Sequence, residues 1–250
     1  MIKGLYAAAS AMIANVHRQK IIAHNAANVD TAGFKQILTS MDAWVSTSVI
    51  HPPGNTAISQ KYLGLLGLGV ETPPDFDDFE AGAIKTTGNQ FDFAISGEGF
   101  FTVETPEGER YTRDGRFLRD VDNMLVTVDG FAVLDENGQP IELPEGDMHV
   151  SDDGTISVNG EEVTRIVLVG FENPAEELAR EGDNTFSAAG GPTLEDVGLI
   201  KQGYLEMSNV NISALMTQMV QVARSYEAAQ KMVQTQDEIL GKAITTLGRF

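Results

Sequence analysis

Cysteine is absent from the 250 residues, which removes disulfides, thiolate nucleophiles and thiolate metal sites from consideration. Basic residues are scarce. Seventeen Lys and Arg face 36 Asp and Glu, for a formal net charge of −19, a balance unsuited to nucleic acid or an anionic membrane surface as partner. There is no run of about 18 apolar residues, so membrane insertion is not expected. What remains is an ordinary apolar content of 42%, enough for a hydrophobic core in one large domain or two small ones.

The acidic excess is unevenly placed. Residues 1–40 hold four basic side chains (Lys3, Arg18, Lys20, Lys35) and one acidic, Asp30. Residues 209–250 are likewise slightly basic, so the deficit falls on the middle of the chain. Met1-Ile2-Lys3 and the Ala-rich stretch after it faintly resemble a secretory signal. Ser10 and Asn15 interrupt that stretch, however, and the pattern continues as a helix past residue 20.

The C-terminal region repeats every seven residues. One position reads Ile212, Met219, Tyr226, Val233, Leu240, Leu247, and the position three further on reads Leu215, Val222, Ala229, Gln236, Ala243, Phe250. This is a and d spacing with one polar exception, Gln236, and it predicts a helix over about 211–247, roughly 55 Å long. The N-terminal region repeats the theme more weakly, with Ile2, Ala9, Val16 and Ala23 at one position and Leu5, Met12, Gln19 and Ala26 at the other. Its helix should end near Asn28, before the turn residues Asp30-Thr31-Ala32-Gly33. The spacing says that helix meets helix; it leaves open whether the partner is internal or another subunit.

From Phe91 to Val169 the chain is rich in β-branched and aromatic residues, cut by Asp114-Gly115, Asp129-Gly130, Asn137-Gly138, Asp153-Gly154 and Asn159-Gly160. Such pairs between short apolar alternations predict hairpins and an antiparallel, all-β body. Expected strands are 91–95, 100–104, 110–112, 125–128, 131–134, 155–158 and 165–171, with a short helix over 175–180. The stretch 46–90, with Pro52-Pro53-Gly54 and the Gly/Leu run from Leu63 to Gly69, reads as extended with little regular structure. The fold class is therefore α+β: terminal helical segments (1–35 and 209–250) forming a coiled-coil-like module, an extended connector (36–90) and a β-rich domain (91–208).

Motifs of chemistry are missing. His17, His24, His51 and His149 have no partner at metal-ligand spacing. Asp75, Asp77, Asp78 and Glu80 lack the spacing of a calcium loop, as do Asp120, Asp122 and Asn123. Gly97-Glu98-Gly99 lacks the third glycine and following helix of a dinucleotide fingerprint. No catalytic residue, cofactor or metal is expected, and the chain reads as a non-enzyme.

Four blocks do carry a likeness. The stretch His24-Asn25-Ala26-Ala27-Asn28-Val29-Asp30-Thr31-Ala32-Gly33-Phe34-Lys35 follows the first helix. Thr87-Gly88-Asn89-Gln90-Phe91-Asp92-Phe93-Ala94-Ile95-Ser96-Gly97-Glu98-Gly99-Phe100-Phe101 opens the body. Tyr111-Thr112-Arg113-Asp114-Gly115-Arg116-Phe117 comes next, and Gly203-Tyr204-Leu205-Glu206-Met207-Ser208-Asn209-Val210-Asn211 leads into the last helix. In this order they resemble the flagellar rod and hook proteins. The length and single body are closer to rod than to hook members, and Met1-Ile2-Lys3-Gly4-Leu5-Tyr6 looks more like the distal than the proximal rod branch.

The resemblance implies a structural subunit of the bacterial flagellar basal body. Its terminal helices would line an export channel in a helical, hollow rod, with the β body outside. It would associate with itself, with other rod and hook subunits, and with the flagellar type III export apparatus, leaving the cell without a cleaved signal. Its family residues are Asn25, Asn28, Gly33, Phe34, Lys35, Gly97, Gly99, Phe100, Asn209 and Asn211. The expected assembly stripe is Ile2, Leu5, Met12 and Val16 with Ile212, Leu215, Met219, Val222, Tyr226, Val233, Leu240 and Leu247. The competing reading is a secreted coiled-coil oligomer displaying a β ligand-binding domain.

Overall fold

The structure, a computed structural model, describes residues 2–50, 62–182, 184–195 and 197–247. His51 and the Pro52-Pro53-Gly54 segment lie outside the described residues. The chain is mixed α and β and divides into two compact units: Met1–Ala26, Ile37–Phe76 and Ile212–Phe250 form one, Ala27–Gln36 and Asp77–Asn211 the other.

In the first unit, helix α1 runs Ile2–Ala27. Alanine gives it high propensity at almost no side-chain entropy cost. It ends where Asn28 turns the chain: Thr31 N donates to Asn28 O at 3.2 Å and Thr31 Oγ1 to Asn28 Oδ1 at 3.1 Å. The C-terminal helix, Ile212–Leu247, is 36 residues long. Asp42–Ile50 and Tyr62–Glu71 form an antiparallel ribbon with register shifts at Trp44/Val45, Val45/Thr47 and Val49/Ile50. That ribbon is tied to α1 by Val70 N donating to Ser10 Oγ at 3.1 Å.

The connector 36–90 is expected to be extended, with little regular structure over 46–90. Besides the ribbon it contains strands Gln36–Leu38, Phe76–Asp78 and Ile84–Thr86. Gly64, Gly67 and Gly69 break the period-two alternation by which a strand is recognised, which is why the ribbon is hard to see in the sequence.

The second unit is a β body. Its largest sheet has seven antiparallel strands in the spatial order Leu178–Arg180, Thr185–Ala188, Gly108–Thr112, Phe101–Thr105, Ala132–Val133, Leu125–Thr127, Phe117–Arg119. A three-stranded sheet is built from Met148–Val150, Thr155–Val158 and Glu161–Arg165. Phe93, Phe101, Phe117, Leu125, Ile156 and Ile200 share one core, each contributing about 1.5–3 kcal/mol by leaving water. A second cluster, Phe100, Tyr111, Phe171 and Phe186 with Phe79 against it, is built on edge-to-face ring contacts. The short helix α2 spans Pro174–Glu177, and the C-terminal helix is accordingly α3.

Four of the five turn pairs close antiparallel strands or bridges as expected. Asp129-Gly130, Asp153-Gly154 and Asn159-Gly160 join adjacent paired strands, and Asn137-Gly138 lies inside the Leu134–Pro140 bridge. Asp114-Gly115 does not. Gly108–Thr112 and Phe117–Arg119 both belong to the large sheet but pair with other strands. The expected strand 165–171 is split, with Glu161–Arg165 and Val169–Gly170 in different sheets.

Candidate functional site

Two features qualify: the surfaces of the long helices, and a buried polar junction in the body.

On α1 the buried side chains include Ala8, Asn15 and Ile22, again seven apart, together with Ala14, Ile21 and Asn25. Leu5 and Met12 are half-buried, whereas Val16 is exposed. The buried line thus runs one residue earlier than the expected Ala9–Val16–Ala23 line. Asn15 can occupy it because its Nδ2 donates to Ala11 O at 2.8 Å, so the side chain enters the interior already satisfied. A second apolar stripe, Tyr6, Ile13 and Val16, faces outward.

On α3 the two heptad positions separate. Leu215, Val222 and Ala229 are buried within the chain, while Ile212 and Met219 are exposed. Ile212, Met216, Met219 and Val220 form an outward stripe at i, i+4, i+7, i+8, which occupies one side of a helix. Tyr226, Val233, Leu240 and the polar exception Gln236 are half-buried. Gln236 Nε2 lies 3.5 Å from where a Cβ on Gly4 would stand, so the far half of α3 meets the start of α1. The side chains of Ile2, Leu247 and Phe250 lie outside the described residues. The residues expected to act as one stripe are therefore of two kinds. Leu215 and Val222 are already covered by the chain itself; Val16, Ile212 and Met219 are open to a second molecule. Tyr6, Ile13, Met216 and Val220, exposed and apolar as well, fall outside the expected stripe because the heptad template assigns one seam per helix.

The junction, in the body, includes several of the family residues. Lys35 and Glu206 are 1% and 2% exposed, and Lys35 Nζ donates to Glu206 Oε1 at 2.8 Å and to Glu80 O at 2.8 Å. Glu206 Oε1 also accepts from Gly82 N at 2.9 Å, and its Oε2 from Arg113 at 3.2 Å. Arg113 further donates to Gly97 O at 3.1 Å, and its guanidinium stands 5.1 Å from the Phe100 ring centre. Burial pushes the Lys35 ammonium below the ordinary lysine value, with the Glu206 carboxylate opposing that shift. Arg113 is lowered for the same reason and opposed by the same carboxylate.

Around this charge cluster the backbone is held by amides. Asn209 Oδ1 accepts from Gln36 N at 2.8 Å, while its Nδ2 donates to Asp78 O at 2.8 Å. Within the helical unit, separately, Asn25 pairs both ways with Ile37, donating to its O at 2.7 Å and accepting from its N at 3.0 Å. Arg180 donates to Lys35 O at 2.7 Å and to Asp77, and lies 4.9 Å from the rings of both Phe34 and Phe186. Gly33 has φ +65°, and a Cβ there would stand 2.3 Å from the Arg113 carbonyl carbon, so only glycine fits. Gly99, at φ +119°, is closed in the same way by Val197 O. Asn28 turns the chain after α1, and Asn211 immediately precedes α3. Glu206 and Arg113 stood in quoted motifs, but nothing local marked them as the centre of the junction.

His17, read as a packing or solvated residue, faces Asp75 at 3.0 Å. Among the described residues there is no group of three or more His, Asp or Glu able to hold a metal ion, and no helix long and apolar enough to cross a membrane. What the described residues do offer is two features: exposed apolar stripes on the long helices and a buried polar junction in the body.

Comparison with known proteins specifies the class. Residues 5–35 match the family model described as flagella basal body rod protein, 94–158 that of the flagellar hook protein FlgE/F/G D1 domain, and 201–246 that of the flagellar basal body rod FlgEFG protein C-terminal. The chain is similar to the flagellar basal-body rod protein FlgG of Borreliella burgdorferi, 34% identical across 97% of this chain and 98% of that one. It is 33% identical to FlgG of Bacillus subtilis over 98% of both chains, and 33% identical to FlgF of Caulobacter vibrioides over 100% of both. The chain belongs to the flagellar basal-body rod protein family.

Proposed function

We propose that this protein is a structural subunit of the bacterial flagellar basal-body rod and not an enzyme. The observation that carries the reading is end-to-end similarity to rod proteins, with 97% or more of each chain aligned. The chain polymerises helically through its terminal helices, which line a hollow shaft and export channel in coiled-coil-like packing, while the β body faces outward. The stripes Tyr6–Ile13–Val16 and Ile212–Met216–Met219–Val220 support this division, because apolar surface left open in one chain is what a neighbouring copy covers. Its partners are further copies, other rod and hook subunits, and the type III export apparatus, through which it passes without a cleaved signal.

FlgG proteins among the relatives favour the distal position. The proximal position is the second reading, favoured by the FlgF of Caulobacter vibrioides, which aligns with the whole chain over 254 residues, against 262 for the Borreliella FlgG. Deletion of the gene and imaging of the remaining basal bodies tests both. Cells without hooks, carrying truncated rods, are expected, and the length at which the rod stops distinguishes the positions. Intact flagella would overturn the rod assignment and favour the secreted oligomer.

A further inference from the structure

The methionines are divided by location. Of the nine in the chain, those that are exposed among the described residues are Met216 (63%), Met232 (56%) and Met219 (39%), all on α3. Met12, Met41, Met124 and Met207 are half-buried, and Met148 belongs to the body core. Met216 and Met219 share the outward stripe with Ile212 and Val220. With no cysteine in the chain, thioether sulfur is its only oxidisable sulfur, and its most accessible examples among the described residues are concentrated on one helix.

We propose that Met216 and Met219 form an oxidation site on the unassembled subunit, and that their conversion to sulfoxides by hydrogen peroxide blocks packing of α3 against a second copy. The proposal rests on the assembly reading above. In the reaction a sulfur lone pair attacks one peroxide oxygen and the O–O bond breaks. The thioether is oxidised by two electrons to the sulfoxide, and the peroxide is reduced to water. The new oxygen is a strong acceptor placed in an apolar stripe with no donor of its own, so covering it strips water without replacing the lost hydrogen bond. In the polymer the same sulfurs are covered, so the vulnerable period is the interval between synthesis and assembly. Met148 provides an internal reference, since its burial removes it from peroxide in either state.

The test uses the purified full chain, with and without hydrogen peroxide, read by peptide mass, circular dichroism and sedimentation of polymer. Met216 and Met232 should gain about 16 Da first, Met219 next and Met148 last. Pelleted polymer should fall roughly tenfold, with oxidised and untreated chains equal in helicity when compared unpolymerised, and methionine sulfoxide reductases should restore it. The M216L/M219L variant should polymerise equally with and without peroxide, although Met232, on the other side of α3, is still oxidised. Oxidation of Met148 as fast as Met216 would overturn the site. Undiminished polymer from the oxidised chain, or a loss accompanied by unfolding, would overturn the mechanism. Failure of the untreated chain to polymerise would overturn the assembly reading itself, and the inference with it.

Discussion

Lys35 Nζ lies 2.8 Å from Glu206 Oε1 across 171 residues of sequence, and both side chains are sealed from solvent. The pair joins the segment leaving α1 to the segment leading into α3, with Arg113 as the third member. Glu206 is the hub of this triad, because both cations and the Gly82 amide converge on its carboxylate.

Removal of the hub should therefore cost more than removal of a spoke. Glu206→Gln leaves two buried cations facing a neutral amide, and a loss of about 3–5 kcal/mol is expected. Lys35→Met leaves Glu206 paired with Arg113 and should cost less, about 1–3 kcal/mol. Urea denaturation of both variants decides the ranking, and equal losses would remove Glu206 from the central role.

The Lys35 shift also fixes a pH dependence. Its folded value lies below the ordinary lysine value because burial disfavours the ammonium. Between those two values the unfolded chain holds a proton that the folded chain has released, so this group makes stability rise with pH in that window. The stability of wild type relative to Lys35→Met should therefore increase from neutral pH into the alkaline range just below the ordinary lysine value. Denaturation midpoints of both proteins at neutral and alkaline pH measure it, and a difference that shrank would contradict the sign.

Gly33 and Gly138 separate backbone strain from collision. Both have positive φ, +65° and +71°, but nothing stands near Gly138, whereas a Cβ on Gly33 would meet the Arg113 backbone. Gly138→Ala should cost about 1 kcal/mol and Gly33→Ala at least about 3 kcal/mol. Thermal melts of the two variants give the comparison.

How much of this could be read beforehand depends on the range of the interaction. The helices were legible because alanine content and seven-residue spacing are local signals. So were most hairpins, because Asn-Gly and Asp-Gly encode their own turn geometry. Asp114-Gly115 misled for the opposite reason: Gly115 is required where a Cβ would collide with Phe93 O, a distant contact rather than a hairpin demand. Glu206 was one acid among 36, and its partners lie 93 and 171 residues away. Lys35 entered the family motif without its charge suggesting a buried pair. The outward stripes were hidden because a heptad template asks which residues repeat, not which side of the helix is already occupied.

The junction also determines where proteolysis should stop. Residues 27–36 belong to the body, and Lys35 and Glu206 hold it together. Limited trypsin digestion of the monomer should remove most of α1 and α3 and leave a fragment of about residues 21–224, cleaved at the helix residues Lys20 and Arg224 rather than at buried Lys35. This expects helices without neighbours to open easily. Full protection of both helices would show instead that they are stable in the free subunit.

The two stripes of α1 predict opposite phenotypes. Ile13 faces outward and Ile22 inward. Ile13→Asp should leave the monomer about as stable as wild type, within roughly 0.5 kcal/mol, yet abolish rods in a complemented deletion strain. Ile22→Asp should destabilise the helical unit by about 3 kcal/mol or more, because it buries an unpaired charge. Normal rods from Ile13→Asp would remove that stripe from the interface.

Gly33 N donates to Glu206 O at 2.8 Å, so the segment that follows α1 lies directly against the strand that precedes α3. The body is stitched in twice rather than inserted once: residues 27–36 and 77–211 belong to it while 37–76 belong to the helical unit, so a replacement domain would have to reproduce both segments and the Gly33–Glu206 tie between them.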